Sequence, residues 1–139
     1  DVINVAGHRL STGQMEEVVA AHPAVAECAV VGIEDKDKGQ VPVGMVVIKD
    51  GVNIKLSVLE SELVAMVRKD VGAFASFKRS VRVLRLPKTR SGKILRQVIR
   101  KIVDTKPYEM PATIDDPAIL KEIADAFKQN GIGYIAEQE

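Results

Sequence analysis

The chain has 139 residues, 46% hydrophobic, 28% charged and 4% aromatic, with no tryptophan and a formal net charge of +1. That length suits one domain with a real core and is short for an enzyme that must bind two substrates by itself. No stretch resembles a secretory signal or an apolar span of about 18 residues, so the expectation is a soluble chain with no membrane partner.

The net charge hides an uneven distribution. From Phe77 to Val103 there are ten Lys or Arg and no acid, which leaves ten cations against nineteen acids elsewhere. Such asymmetry points to a polyanionic partner more strongly than the total charge does. The single cysteine, Cys28, lies in the apolar run "AECAVVG". It cannot form an internal disulfide and has no cationic or histidine neighbour in sequence, so it reads as a small buried hydrophobe. A lone unpaired cysteine fits a reducing compartment, the cytoplasm or, in a eukaryote, the mitochondrial matrix. The chain opens on Asp1 with a strand-like run already under way, and the expectation is a piece of a longer polypeptide.

In chain order, "DVINVAGHRL" alternates apolar and polar residues around Gly7 and predicts two short strands about a turn. Ser11 or Thr12 is the N-cap candidate for a helix from about Gln14 to Ala21, with Glu16 and Glu17 as helix-start acids and His22-Pro23 ending it. "AVAECAVVGIED" and "PVGMVVIKD" read as a long antiparallel strand pair carrying much of the core. From Ser57 to Val71, Leu59, Leu63, Met66 and Val67 form one stripe of an amphipathic helix that Gly72 stops. "SVRVLRL" alternates, which predicts Val81, Val83 and Arg85 on one face and Arg82, Leu84 and Leu86 on the other.

Ile94, Leu95, Val98, Ile99 and Ile102 then recur at helical spacing, so a helix is expected to open just after Gly92. Beyond Asp104, Pro107, Pro111 and Pro117 mark an extended connector before a helix near Pro117 to Gln129. The expected fold is α+β: a small, mainly antiparallel three-stranded sheet with helices packed on it, plus a short N-terminal two-stranded hairpin.

The basic run contains "LPKTRSGKILR", Leu86 to Arg96, with four cations and no acid. Pro87 cannot extend the preceding strand and Gly92 permits a turn that a Cβ would hinder, so the segment reads as a projecting loop with Lys93 near its tip. A lysine there is a mobile point charge able to reach an anionic centre brought by another body. A Walker-type phosphate loop fails, because it needs glycine where Pro87 stands and Ser or Thr where Ile94 stands. A nucleic-acid arm gains from the cations. It loses from the absence of any aromatic between Ser80 and Val103, and no nucleic-acid partner is expected. A solvated basic face remains the bland alternative for the run taken alone.

Three motifs stand together: "NVAGHRLSTGQMEE", "VAECAVVGIEDKDKGQVPVGMVV" and "LPKTRSGKILR". Their order and spacing resemble the C-terminal domain of the AMP-forming acyl-coenzyme A synthetases, in the short-chain branch of acetyl- and propionyl-coenzyme A synthetases. The tail "ATIDDP" extends the resemblance towards the C-terminus. The resemblance implies that residues 1–103 form a mobile C-terminal domain, with 104–139 a connector and helix of that same domain. It also implies a large N-terminal domain, absent from this chain, that holds ATP, its Mg2+ and the acid. The domain family takes part in two half-reactions: a carboxylate attacks the α-phosphate of ATP, and coenzyme A then attacks the acyl-adenylate.

Residue by residue, the resemblance implies Lys93 as the adenylation lysine of the "PKTxSGK" pattern, with Lys88, Arg90 and Gly92 as loop support. Gly7 would let the pantetheine chain of coenzyme A pass close to the backbone. Arg9 would approach the site in the thioester-forming orientation, and Arg68, placed by spacing inside a helix, would meet a coenzyme A phosphate. No residue is expected to bind metal directly. Short-chain members of the family are silenced by acylation of this lysine, which implies a lysine acyltransferase and a deacylase as partners at Lys93. "STGQMEE" departs from the commoner "GTAEIE"-like run at helix-cap positions. Gln97 stands where the usual "KIMRR" has its second arginine, and no role is assigned there. Two other readings stay open: a stand-alone basic polyanion-binding module, and another adenylate-forming enzyme such as a carrier-protein-loading one.

Overall fold

A computed structural model describes residues 1–138, and its centre is the pair of long apolar runs, β3 (Val25–Asp35) and β4 (Gly39–Ile48). They pair antiparallel from Val25 opposite Ile48 to Asp35 opposite Gly39. Around them stand β1 (Val2–Val5), β2 (His8–Ser11), α1 (Thr12–Ala20), α2 (Leu56–Asp70), β5 (Arg79–Arg82), α3 (Arg96–Val103) and α4 (Ile119–Gln129). The open sheet runs β2-β1-β4-β3. β1 and β5 share the other edge of β4: Val5 lies opposite Gly39, and β5 runs parallel over Val43–Val46. The α+β class and the mainly antiparallel sheet are as the sequence predicts, and the N-terminal hairpin is joined to that same sheet.

Helices cover both faces, which is why β3 and β4 read as nearly continuous apolar runs rather than alternating ones. Ala29, Val31, Ile33, Val43 and Met45 face α3 and α4, whereas Cys28, Val30 and Val46 face α1 and α2. On the second face Met15 and Val19 of α1 meet Leu59, Leu63 and Val67 of α2. Ser11 caps α1, its Oγ accepting from the Gln14 amide at 3.3 Å. Cys28 is buried with its Sγ 3.4 Å from the Glu16 carbonyl, and burial pushes its thiol up to about 11. A thiol so placed is inert packing.

The segment after Asp104 supplies much of the first face. Ile114, Ile119, Leu120, Ile123, Phe127, Ile132 and Ile135 are all buried there with Ile99, Ile102 and Val103 of α3. Phe127 is fully buried. Phe127→Ala is expected to destabilise by about 3–5 kcal/mol through the lost transfer energy and the cavity left behind. Chemical denaturation should show one transition shifted as a whole. A separate early transition confined to the tail would mean that residues 104–138 form their own unit.

One strand expectation needs correction. β5 ends at Arg82 and the chain bends at Leu84 and Arg85, so Leu84 is 82% exposed while Leu86 is buried at 3%. Strand alternation cannot continue past a bend, and the two leucines therefore part company.

Candidate functional site

Leu86 and Pro87 are buried and anchor the loop that follows. Lys88 and Ile94 form an antiparallel bridge, and the Leu95 amide donates to the Pro87 carbonyl at 2.9 Å. Inside that frame the Thr89 amide donates to the Lys93 carbonyl at 2.8 Å, and the Gly92 amide to the Thr89 carbonyl at 2.9 Å. Gly92 has φ +91°, a conformation that side chains resist. Thr89 Oγ1 accepts from the Lys93 amide at 3.1 Å. The Lys93 backbone is thus fixed while its side chain is exposed.

The helix expected to open after Gly92 starts only at Arg96, with Leu95 as an N-cap that makes no side-chain bond. Lys93 to Leu95 are instead spent closing the loop, so Lys93 precedes the first turn of the helix rather than standing in it. Among the described residues no ion pair involves Arg90 or Lys93, whereas Lys88 Nζ bonds Glu27 Oε2 on β3 at 3.0 Å. Arg79, Arg85, Lys88 and Arg96, four of the ten cations from Phe77 to Val103, are tied to acids. The basic run is therefore not one continuous cationic strip.

Glu16 also differs from its expected part as a helix-start acid. Its carboxylate takes the Arg96 Nη2 and Nε at 2.6 and 2.9 Å and the Val30 amide at 3.0 Å. It thereby ties α1, β3 and the start of α3 together. Glu17 is an exposed helix acid, as expected.

The second set of predicted residues lies elsewhere. Ala6 and Gly7 form the two-residue turn between β1 and β2, with φ of +50° and +88°. Both central residues are left-handed, the requirement of a hairpin turn that follows the strand twist. A Cβ on Gly7 would meet no atom within 4 Å. The turn therefore needs glycine for its backbone angle, and its outer side is open. The Ala6 amide donates to the Lys38 carbonyl at 2.8 Å, and Lys38 Nζ donates to Ser76 Oγ at 2.9 Å. Arg68, exposed in the last turn of α2, lines a narrow crevice with Ser76 and Lys78. His8 packs its ring 5.2 Å from that of Phe74, tilted by 53°. Arg9 is exposed on β2 opposite Asn4 and enters no ion pair among the described residues. Gly7 and Arg68 thus belong to one end of the molecule, linked through Lys38 and Ser76.

That end is far from the lysine loop. Val5 registers with Gly39 at the start of β4, whereas Glu27, which holds Lys88, registers with Val47 near its end. Eight residues of strand separate the two positions, about 27 Å at 3.4 Å per residue. One orientation of this domain cannot bring both ends to a single small reacting centre.

Sequence reasoning missed the residues that hold the loop. Residues 113–115 run beside it: the Arg90 amide donates to the Thr113 carbonyl at 2.9 Å and the Asp115 amide to the Lys88 carbonyl at 3.0 Å. Next to them Arg85 forks onto Asp116 at 2.7 Å and Glu122 at 2.6 Å, and holds both carboxyls below the usual carboxylate range. Among the described residues no group of three or more His, Cys, Asp or Glu is placed to hold a metal ion, and no helix is long and apolar enough to cross a membrane.

Comparison with known proteins gives this geometry its setting. The model of the AMP-binding enzyme C-terminal domain matches residues 14–93, more than half of the chain. An uncharacterised protein of Pseudomonas aeruginosa is 61% identical over 133 residues, 96% of this chain and 21% of that protein. The mitochondrial acyl-CoA synthetase short-chain family member B of Dictyostelium discoideum is 48% identical over 134 residues, 96% of this chain and 20% of that protein. The crystal structure of a Brucella canis acyl-CoA synthetase superposes with a TM-score of 0.68 at 37% identity, over 73% of this chain and 18% of that one. The chain therefore spans about a fifth of the length of the relatives it matches. With the lysine loop and the glycine hairpin at opposite ends of one small sheet, the chain belongs to the AMP-binding enzyme C-terminal domain family, in the form carried by the short-chain acyl-CoA synthetases.

Proposed function

We propose that this chain is the mobile C-terminal domain of an AMP-forming ligase that joins a short carboxylic acid, acetate or propionate, to coenzyme A through an acyl-adenylate. The observation that supports it is the placement of two distinct ends on one sheet, at positions separated by about 27 Å of β4. In this reading the domain turns between half-reactions. It offers the lysine loop first and the hairpin end second to a centre held by the large N-terminal domain.

In the first half-reaction the acid's carboxylate attacks the α-phosphate of ATP, and pyrophosphate leaves. Negative charge accumulates on the phosphate oxygens as the bond forms, and the Lys93 ammonium stabilises that state more than the ground state. Lys93 serves this step because its backbone is fixed and its charge is unpaired among the described residues. Lys88, Arg90 and Gly92 hold and steer the loop. Magnesium bound with ATP would supply neutralising charge on the phosphates, held mainly by the N-terminal domain rather than by residues of this chain.

In the second half-reaction the coenzyme A thiol attacks the acyl carbon and AMP leaves. Gly7 gives the pantetheine chain a backbone without a side chain, while Arg9 and Arg68 supply guanidinium groups suited to phosphate. Acylation of the exposed Lys93 by an acyltransferase would erase its charge and stop the first step, and a deacylase would restore it. Residues 1–103 form the mobile unit, and 104–139 belong to the same domain. The chain by itself is expected to turn nothing over. The location that fits this chemistry is the cytoplasm, or the matrix in a eukaryote.

The test is ATP–pyrophosphate exchange by the full-length protein, started separately with acetate and with propionate. Exchange dependent on either acid supports the reading, and the faster acid names the substrate. Exchange with neither, under conditions where longer or carrier-bound acids support it, would reassign the chain to another adenylate-forming enzyme.

A further inference from the structure

The connector beyond α3 bends back against the lysine loop. Thr89 and Ile114 form an isolated antiparallel bridge, flanked by the Arg90–Thr113 and Asp115–Lys88 backbone bonds at 2.9 and 3.0 Å. Among the described residues these two are the only backbone hydrogen bonds that join residues 88–94 to another part of the chain. The other polar tether, Lys88 to Glu27, is a half-exposed ion pair between flexible side chains, and such pairs position weakly. Residues 113–115 are themselves held at both ends. Ile114 is buried in the core formed with α3 and α4, and Asp116 is gripped by Arg85 while its Oδ1 accepts from the Ala118 amide at 3.0 Å. Arg85 lies just upstream of the loop and also grips Glu122 of α4. The connector is thus clamped to both ends of the structure that presents Lys93.

We propose that Thr113, Ile114 and Asp115 are positioning residues for Lys93: through the Thr89–Ile114 bridge and its two flanking backbone bonds they brace the loop and fix the direction from which its ammonium approaches the α-phosphate. The proposal rests on the adenylation role of Lys93. The strap touches no substrate. It acts on the adenylation half-reaction alone, because the hairpin end lies about 27 Å away along β4. The family model stops at Lys93, yet the short-chain relatives match over 93–96% of this chain and so share the connector. Positioning by a tail is therefore expected as a property of the short-chain group rather than of every member of the wider family.

The test uses the full-length protein with Asp115→Pro, which removes the amide that donates to the Lys88 carbonyl. Ile114→Ala is the second variant and Ile114→Val the conservative one. Three quantities are read: amide hydrogen exchange over residues 88–94, the kcat and KM for ATP in pyrophosphate exchange, and the thioester step from preformed acyl-adenylate. Asp115→Pro and Ile114→Ala are expected to speed exchange over the loop by about tenfold or more. The adenylation kcat should fall about 10- to 100-fold, with KM for ATP and the thioester step within about twofold of wild type. Ile114→Val should match wild type in all three. If Asp115→Pro does not fold, the same split must appear in Ile114→Ala.

A loosened loop with unchanged adenylation would overturn the proposal. So would an equal loss in both half-reactions, which would make the segment a support of the fold alone. If instead Lys93→Ala leaves adenylation intact, it is the role of Lys93 that fails, and the two failures are told apart by that variant.

Discussion

Replacing Lys93 by alanine in the full-length protein is expected to lower acyl-adenylate formation by about 10²- to 10³-fold, the loss expected when one preorganised charge is removed from a developing anion. The fall should lie in kcat of ATP–pyrophosphate exchange rather than in KM for ATP, since the ammonium is worth most once the phosphate has gathered charge. The fold should be untouched. Lys93 is exposed, forms no ion pair among the described residues, and its part in the loop is played by its backbone amide and carbonyl, which alanine keeps. Lys93→Gln, which copies the charge loss of acylation, should behave like alanine. Lys93→Arg should recover only part of the rate, because a planar fork does not reproduce a compact point charge on a flexible stem. Thermal denaturation beside the exchange assay separates a chemical loss from a folding one.

The second large effect is expected at the hairpin. Gly7→Asn separates two demands that a glycine can meet. Gly7 has φ +88°, and asparagine tolerates the left-handed region better than other side chains, so the turn survives with a small cost. If the glycine served the turn alone, this variant would work like wild type. If a substrate chain must lie against the backbone, the added side chain projects into space that is empty in the free domain and occupied in the working enzyme. The thioester step from preformed acyl-adenylate should then fall about a hundredfold, the size of loss that a displacement of about 1 Å at the reacting centre brings. Adenylation should be within about twofold of wild type. Equal loss in both half-reactions would point to a damaged fold, and no loss in either would leave Gly7 as a turn residue.

The strand pair, the amphipathic helix α2 and the hairpin turn were legible because local patterns specify them. Leu59, Leu63 and Val67 recur at helical spacing, and an apolar run as long as "AECAVVGI" has to be covered on both faces. The lysine loop was legible as a motif. Its closure was not, and the helix expected just after Gly92 starts three residues later than Lys93. Apolar spacing at Ile94 and Leu95 carries on into α3, while Ile94 lies opposite Lys88 in a bridge and the Leu95 amide donates to the Pro87 carbonyl instead. Periodicity records which side chains are buried and is silent about where amides go.

The long-range partners were illegible for the same reason. Glu16 looks like any acid in a first turn, and only the packed structure shows it holding Arg96, eighty residues away. Thr113 to Asp115 lie in the "ATIDDP" tail that extends the resemblance, but their contact with the loop was not legible, because it is made through backbone groups that every residue shares.

The central claim is that opposite ends of this small sheet serve opposite halves of one reaction. It is tested most directly by measuring both half-reactions for Lys93→Ala and Gly7→Asn side by side, in the same full-length protein. A crossed pattern is predicted: Lys93→Ala loses pyrophosphate exchange and keeps the thioester step, and Gly7→Asn does the reverse. Loss of the same half-reaction in both variants would contradict the account, as would exchange that survives Lys93→Ala.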